Sequence, residues 1–202
     1  MDLLLLFTAG VINKNREDVD KMISKKLADA LSEQVNAEYY SAYLYQSMSA
    51  FAENAALKGA AHWLFMQTRE EMAHAVHMYQ YILDRGAVPS FAAIECPPIS
   101  FADLGEVFEQ VLAHEQKVTA RINALATLAM QENDHACYQF IMWYVNEQVE
   151  EEANDADILS KLNMIGNDKG LLLALDNELA TRIYVNPFPT DSKLSGTASA
   201  GL

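Results

Sequence analysis

The sequence predicts an all-α fold: a four-helix bundle with a long crossover loop between the second and third helices and a short fifth helix near the C-terminal end. Three observations predict it. Apolar residues recur at a period near 3.6 through most of the 202 residues. Strand-type alternation is nearly absent. All five prolines fall between 89 and 98 or between 187 and 189, outside the periodic stretches. At 51% hydrophobic, the chain can build a sizeable core for one domain.

The elements follow in order. Residues 1–21 open on the apolar run Leu3-Leu-Leu-Leu-Phe7, too short to span a bilayer and led by Asp2 where an export signal would carry Lys or Arg. They are read as an extension outside the fold. The first helix is predicted from about Met22 to Glu53, with inward stripe Leu27, Leu31, Gln34, Glu38, Ala42, Tyr45. The second runs from about Ala55 to Arg85, with stripe Ala60, Leu64, Gln67, Glu71, His74, Met78, Ile82, and Gly86 stops it. Residues 86–101 hold Pro89, Pro97 and Pro98 and are long enough to cross the bundle, so the third helix need not run antiparallel to the second. The third helix opens at Ser100–Asp103 and reaches about Gln131, with stripe Phe108, Val111, Leu112, Glu115, Val118, Ile122. Asn133-Asp134 turns the chain into the fourth, whose stripe is Phe140, Ile141, Tyr144, Gln148, Glu151, Ile158, Leu162. Gly166-Asn167 closes it, and a fifth helix is expected over about Lys169–Ile183. The domain is predicted to span 22–185, and the Ser/Thr/Gly/Ala-rich stretch 186–202 to form a flexible tail.

Four stripes carry a glutamate where a leucine is expected: Glu38, Glu71, Glu115 and Glu151. A buried unpaired carboxylate costs several kcal/mol, roughly 3–5 when its partner is missing, so such groups are paired or bind metal. The spacing adds a symmetry, because 33 residues separate Glu38 from Glu71 and again Glu115 from Gln148. Each half is a hairpin with one carboxylate on its first helix and a pair three apart on its second, Glu71/His74 and Gln148/Glu151. Oxygen-rich sites with an imidazole suit hard or borderline divalent metals, including iron and manganese.

The charge agrees. With 14 Lys+Arg against 28 Asp+Glu, the formal net charge is −14, which argues against nucleic acid or an anionic membrane as partner and favours cations. Cys96 and Cys137 form no CxxC pair and are read as buried or inert thiols in a reducing cytoplasm. His62, His114 and His135 show no partner pattern.

Three segments narrow the reading: Asn36-Ala-Glu-Tyr-Tyr-Ser-Ala-Tyr-Leu-Tyr45, Glu70-Glu-Met-Ala-His74, and Trp143-Tyr-Val-Asn-Glu-Gln-Val-Glu-Glu-Glu152. With Glu115 and the fifth helix they make about four-fifths of the chain resemble bacterial non-haem ferritin, of the ferritin-like di-iron carboxylate family. The resemblance implies a ferroxidase centre in which Glu38, Glu71 and His74 hold one iron. Glu71, Glu115 and Glu151 hold a second, Gln148 lies close by, and Glu71 bridges. It implies an additional iron site at Glu70, Glu147 and Glu150. Tyr45 is similar to the family's tyrosine beside the centre, as hydrogen-bond donor to a ligand or as electron donor. Bacterioferritin would have His where Glu151 stands. Met72 is read as a packing residue, so no haem is expected. The implied function is iron storage: Fe(II) is oxidised by O2 or H2O2 and deposited as ferric mineral in a hollow shell of twenty-four copies, in the cytoplasm. Two alternatives stay open: a non-storing di-metal carboxylate oxidase or peroxidase, and a catalytically silent cage protein.

Overall fold

Four short polar side chains start four helices. The computed structural model describes residues 22–188. In it Ser24, Asp103, Asp134 and Asp168 each accept a backbone N–H of the first turn that follows them. They open α1 (Lys25–Asn54), α3 (Leu104–Gln131), α4 (His135–Ile165) and α5 (Lys169–Leu179). The exception is α2 (Lys58–Asp84), whose N-cap Leu57 offers no side-chain bond. Its cap comes from elsewhere: Asp176 of α5 accepts the Ala60 N–H at 2.8 Å. This approach requires Gly59, since a Cβ there would lie 1.6 Å from the Asp176 carbonyl oxygen.

Helix α1 packs on α2 and α3 on α4, giving two antiparallel hairpins joined by three-residue turns. Each turn contains a non-glycine residue with positive φ, Ala56 at 61° and Asn133 at 55°. Asparagine tolerates that conformation and alanine is strained in it. The segment between α2 and α3 runs along α1. Ser90 N–H bonds Ser32, Ala92 N–H bonds Asn36, and Ser47 donates to the Pro98 carbonyl. The contacts advance from Ser32 to Ser47 in the direction of α1, and Phe101 meets Phe51 near its C-terminal end. Helix α3 therefore starts where α1 ends and runs parallel to α2, as the crossover reading expects.

The core comes in two apolar clusters. One holds Leu27, Leu31, Val35, Met78, Ile82, Val118, Ile122 and Ile141. The other holds Leu44, Met48, Leu64, Phe108, Val111, Ile158 and Leu175. Between them every bundle helix contributes polar residues to a middle layer, and all four stripe glutamates lie there, at most 3% exposed.

Three expectations change. Helix α5 ends at Leu179 and not near Ile183. Beyond it Thr181, Ile183 and Val185 are β-branched and poor helix formers. The start of the expected loose tail is packed: Phe188 is 8% exposed and its ring stacks on His77 at 3.7 Å. Cys96 is exposed, whereas Cys137 is buried, and burial pushes its thiol up to about 11. The extension 1–21 and tail residues 189–202 lie outside the described residues.

Replacing Ala56 by Gly removes the penalty of positive φ and is expected to stabilise the fold by about 1 kcal/mol in a denaturant titration. Gly59→Ala should cost about 1–3 kcal/mol and expose the chain beyond Gly166 to protease, because α5 must move off α2.

Candidate metal centre

Heptad-like spacing brings the polar stripe residues to one level of the bundle. Glu38 of α1 and Glu71 and His74 of α2 present ligand atoms that all lie within 4.8 Å of one another, and all three are buried. His74 Nδ1 is 3.4 Å from Glu71 Oε2. The other nitrogen, Nε2, has no hydrogen-bond partner, and neither has Glu38 Oε2. Burial lowers the His74 pKa from its ordinary value, which keeps the ring neutral and able to donate a lone pair. A second set of atoms within 4.8 Å comprises Glu70, His74 and Glu147, so His74 belongs to both. Glu150 is exposed and borders the cleft that Glu70 and Arg182 line.

Glu115 and Glu151 complete the layer from α3 and α4, but neither is in those two sets. Glu115 accepts a hydrogen bond from the Tyr45 hydroxyl, and Gln148 Nε2 donates to its other oxygen at 2.9 Å. Glu151 accepts from Gln67 Nε2 at 2.7 Å. Glu38 is held in turn by Gln34 Nε2 at 2.9 Å, and Arg121 Nε donates to Gln34 at 2.8 Å. Three glutamines thus orient three carboxylates. Gln34 and Gln67 stand in the predicted stripes, yet spacing alone showed no role for them.

One acid escaped the sequence reading. Asp155, one turn beyond Glu151 on the same face of α4, is fully buried and neither oxygen has a hydrogen-bond partner. The four-residue step from Glu151 was the available signal. Arg182, beyond α5, gave none. Among the remaining histidines, His62 Nε2 donates to the Arg182 carbonyl at 2.8 Å, and His114 Nε2 bonds the Ser41 hydroxyl at 2.7 Å.

The electrostatics state the problem this layer poses. The buried residues described include Glu38, Glu71, Glu115, Glu151 and Asp155, but no lysine or arginine. Burial first, then repulsion from Glu115, Glu38 and Glu151, drives the Glu71 pKa far up. Glu151 is raised likewise by burial and by Glu115. Burial lifts Glu115 to about 7 against the opposing hydrogen bonds from Tyr45 and Gln148. Asp155 rises to about 8 through burial and Glu115, and Glu147 to about 7 through burial and Glu70. A carboxylate-rich, imidazole-containing layer with orphaned buried donors fits hard divalent cations.

The comparisons agree with this chemistry. Residues 28–165 match the ferritin-like domain family. The bacterial non-haem ferritin of Staphylococcus aureus is 39% identical over 163 residues, covering 81% of this chain and 98% of that protein. Its counterpart in Staphylococcus saprophyticus is 41% identical with the same coverage. An open-pore ferritin from Archaeoglobus fulgidus superposes with a TM-score of 0.79 at 47% identity, covering 80% of this chain and 98% of that one. The chain belongs to the ferritin family. Its curated relatives place it beside the bacterial non-haem ferritins. No helix among the described residues is long and apolar enough to cross a membrane.

The raised acids fix a pH dependence. Their folded values lie above their unfolded ones, so the stability they contribute is present below the unfolded carboxylate range. It is lost as pH rises through about 7 for Glu115 and Glu147 and about 8 for Asp155. His74 and His114 have lowered values, and their contribution is lost only as pH falls below the ordinary histidine value, about 6.5. Between those limits the acids decide. Metal-free protein should therefore melt higher at pH 6.5 than at pH 8, and Asp155→Asn should narrow the gap, as read by calorimetry.

Proposed function

We propose that the chain is an iron-storage ferritin with ferroxidase activity. The observation that supports this is the buried acid layer, with no buried lysine or arginine among the described residues, centred on Glu38, Glu71 and His74. Glu38, Glu71 and His74 bind one Fe(II). Glu71, Glu115 and Glu151 bind a second, with Gln148 orienting Glu115. Glu71, on α2 between the other acids, bridges the two. Each Fe(II) gives up one electron. Dioxygen takes both electrons with two protons and leaves as hydrogen peroxide, or hydrogen peroxide takes them with two protons and leaves as two waters. Carboxylates favour the Fe(III) product because it carries more charge and is harder. Tyr45 donates its hydroxyl proton to Glu115, which holds that carboxylate in place. Its buried hydroxyl resists ionisation through burial and the surrounding acids.

Glu70 and Glu147, with Glu150 beside the cleft, take ions on their way out of the centre. The ferric product collects as mineral inside a shell of twenty-four copies. Helix α5 supports such assembly, since Leu171 and Leu173 are 52% and 57% exposed beside the buried Leu175 and Leu179. The domain is the 22–185 unit, against which Phe188 also packs, and the shell works in the cytoplasm without haem.

Mixing metal-free protein with aerobic Fe(II) in a stopped-flow spectrometer tests the reading. A fast oxidation phase should saturate near two ions per chain, followed by slower uptake of many more in solution. Saturation without further uptake would instead identify a non-storing di-metal oxidase or peroxidase, and a cage without activity would show no fast phase. Glu71→Ala should slow the fast phase about a hundredfold, because both ions share that side chain. An unchanged initial rate would remove Glu71 from the centre.

A further inference from the structure

After α5 the chain turns back along α2. Asp176 contacts Ala60, the Arg182 carbonyl meets His62, and the Tyr184 ring lies 4.0 Å from the Arg69 guanidinium carbon. Phe188 reaches His77 and packs beside His74, at 6.1 Å between ring centroids. The path covers the side of α2 that carries Glu70 and His74. The one cation among its described residues is Arg182, whose Nη2 donates to Glu70 Oε2 at 2.7 Å. The guanidinium also sits 4.4 Å above the Trp63 ring. Both partners of the ion pair are largely shielded, with side chains 20% and 16% exposed.

Glu70 is also one of three residues whose atoms converge on a common point with His74 and Glu147. His74 carries a buried Nε2 with no hydrogen-bond partner. Arg182 and a divalent cation draw on the same Glu70 negative charge, and a guanidinium nitrogen 2.7 Å from Oε2 repels a cation held by that carboxylate. We propose that Arg182 is a built-in competitor for the Glu70–His74–Glu147 position, which sets how tightly a divalent cation is held there and must swing aside when one binds. This deepens the reading of the acid cluster as a cation path and rests on it. A weakly held ion is passed on, whereas a tightly held one would block the route. The Arg182 backbone stays held by His62, which donates to its carbonyl, so displacement moves the charged head off Glu70, changes its contact with Trp63 and leaves the segment in place. Arg182 thereby acts on the metal through Glu70 and is a positioning residue, not a ligand.

The test is a calorimetric Zn(II) titration of the metal-free assembled protein, with Trp63 fluorescence followed in parallel in a Trp143→Phe background, since Trp143 lies 5.5 Å from His74, and particle size checked by light scattering. Wild type should bind two ions tightly and a further ion more weakly, and the weak step should change Trp63 emission. Arg182→Gln should tighten that weak step about tenfold, leave the first two unchanged and abolish the emission change. Arg182→Lys, which keeps a positive charge, should gain less. Combining Arg182→Gln with Glu70→Gln should erase the gain. Unchanged or weaker binding of the further ion in Arg182→Gln overturns the proposal, and weaker binding would show that Arg182 holds Glu70 ready for metal. Absence of any emission change at the weak step in wild type also overturns it. Failure of wild type to bind the first two ions would instead overturn the functional reading itself.

Discussion

A protein interior can tolerate a charge when something of opposite sign stands beside it. Here Glu38, Glu71, Glu115, Glu151 and Asp155 are buried together, and among the described residues no buried lysine or arginine balances them. That imbalance is the constraint around which the bundle is arranged. It divides the apolar core into two clusters and concentrates the cost in one layer. Without a cation, several acids keep protons well above the ordinary carboxylate range. With one, protons and metal exchange places. The metal-free fold stores the unfavourable interaction that makes cations welcome.

The layer is held in shape by neutral amides. Gln34, Gln67 and Gln148 each donate to a different carboxylate, and Arg121 braces Gln34 from outside the core. Amides can fix the direction of a carboxylate without cancelling its charge, whereas a lysine in the same place would fill the site with its own cation. The arrangement at Glu70 differs, because there a guanidinium faces the acid directly. The two acid clusters therefore sit in different electrostatic surroundings within about one helical turn, the step from Glu70 to His74.

Much of this was legible in the sequence. Period 3.6 placed Glu38, Glu71, Glu115 and Glu151 inward, and all four are buried. The prolines marked the crossover, and the equal spacing of Glu38/Glu71 and Glu115/Gln148 marked the paired hairpins. Periodicity reports which face a side chain takes, not which atom it reaches. The glutamine partners stayed invisible because each choice between two carboxylates depends on rotamers. Gln67 lies one turn before Glu71 yet bonds Glu151 on α4. Asp155 was missed because an acid following a run of acids reads as solvated surface. Arg182, Tyr184 and Phe188 were missed because their order depends on contacts with a helix more than a hundred residues earlier.

The cap that Asp176 supplies to α2 also has a consequence for synthesis. The Ala60 N–H it receives belongs to a residue 116 positions earlier. At about 5–20 residues per second, α2 emerges from the ribosome roughly 6–23 s before its cap exists. During that interval the Ala60 N–H has water as its partner, and the first hairpin waits in an unfinished form. Gly59, with no side chain over the vacant contact, leaves the berth open until α5 arrives. The last helix made is thus the one that completes the start of the second, and a chain interrupted before Asp176 carries its defect near residue 60, far from the break.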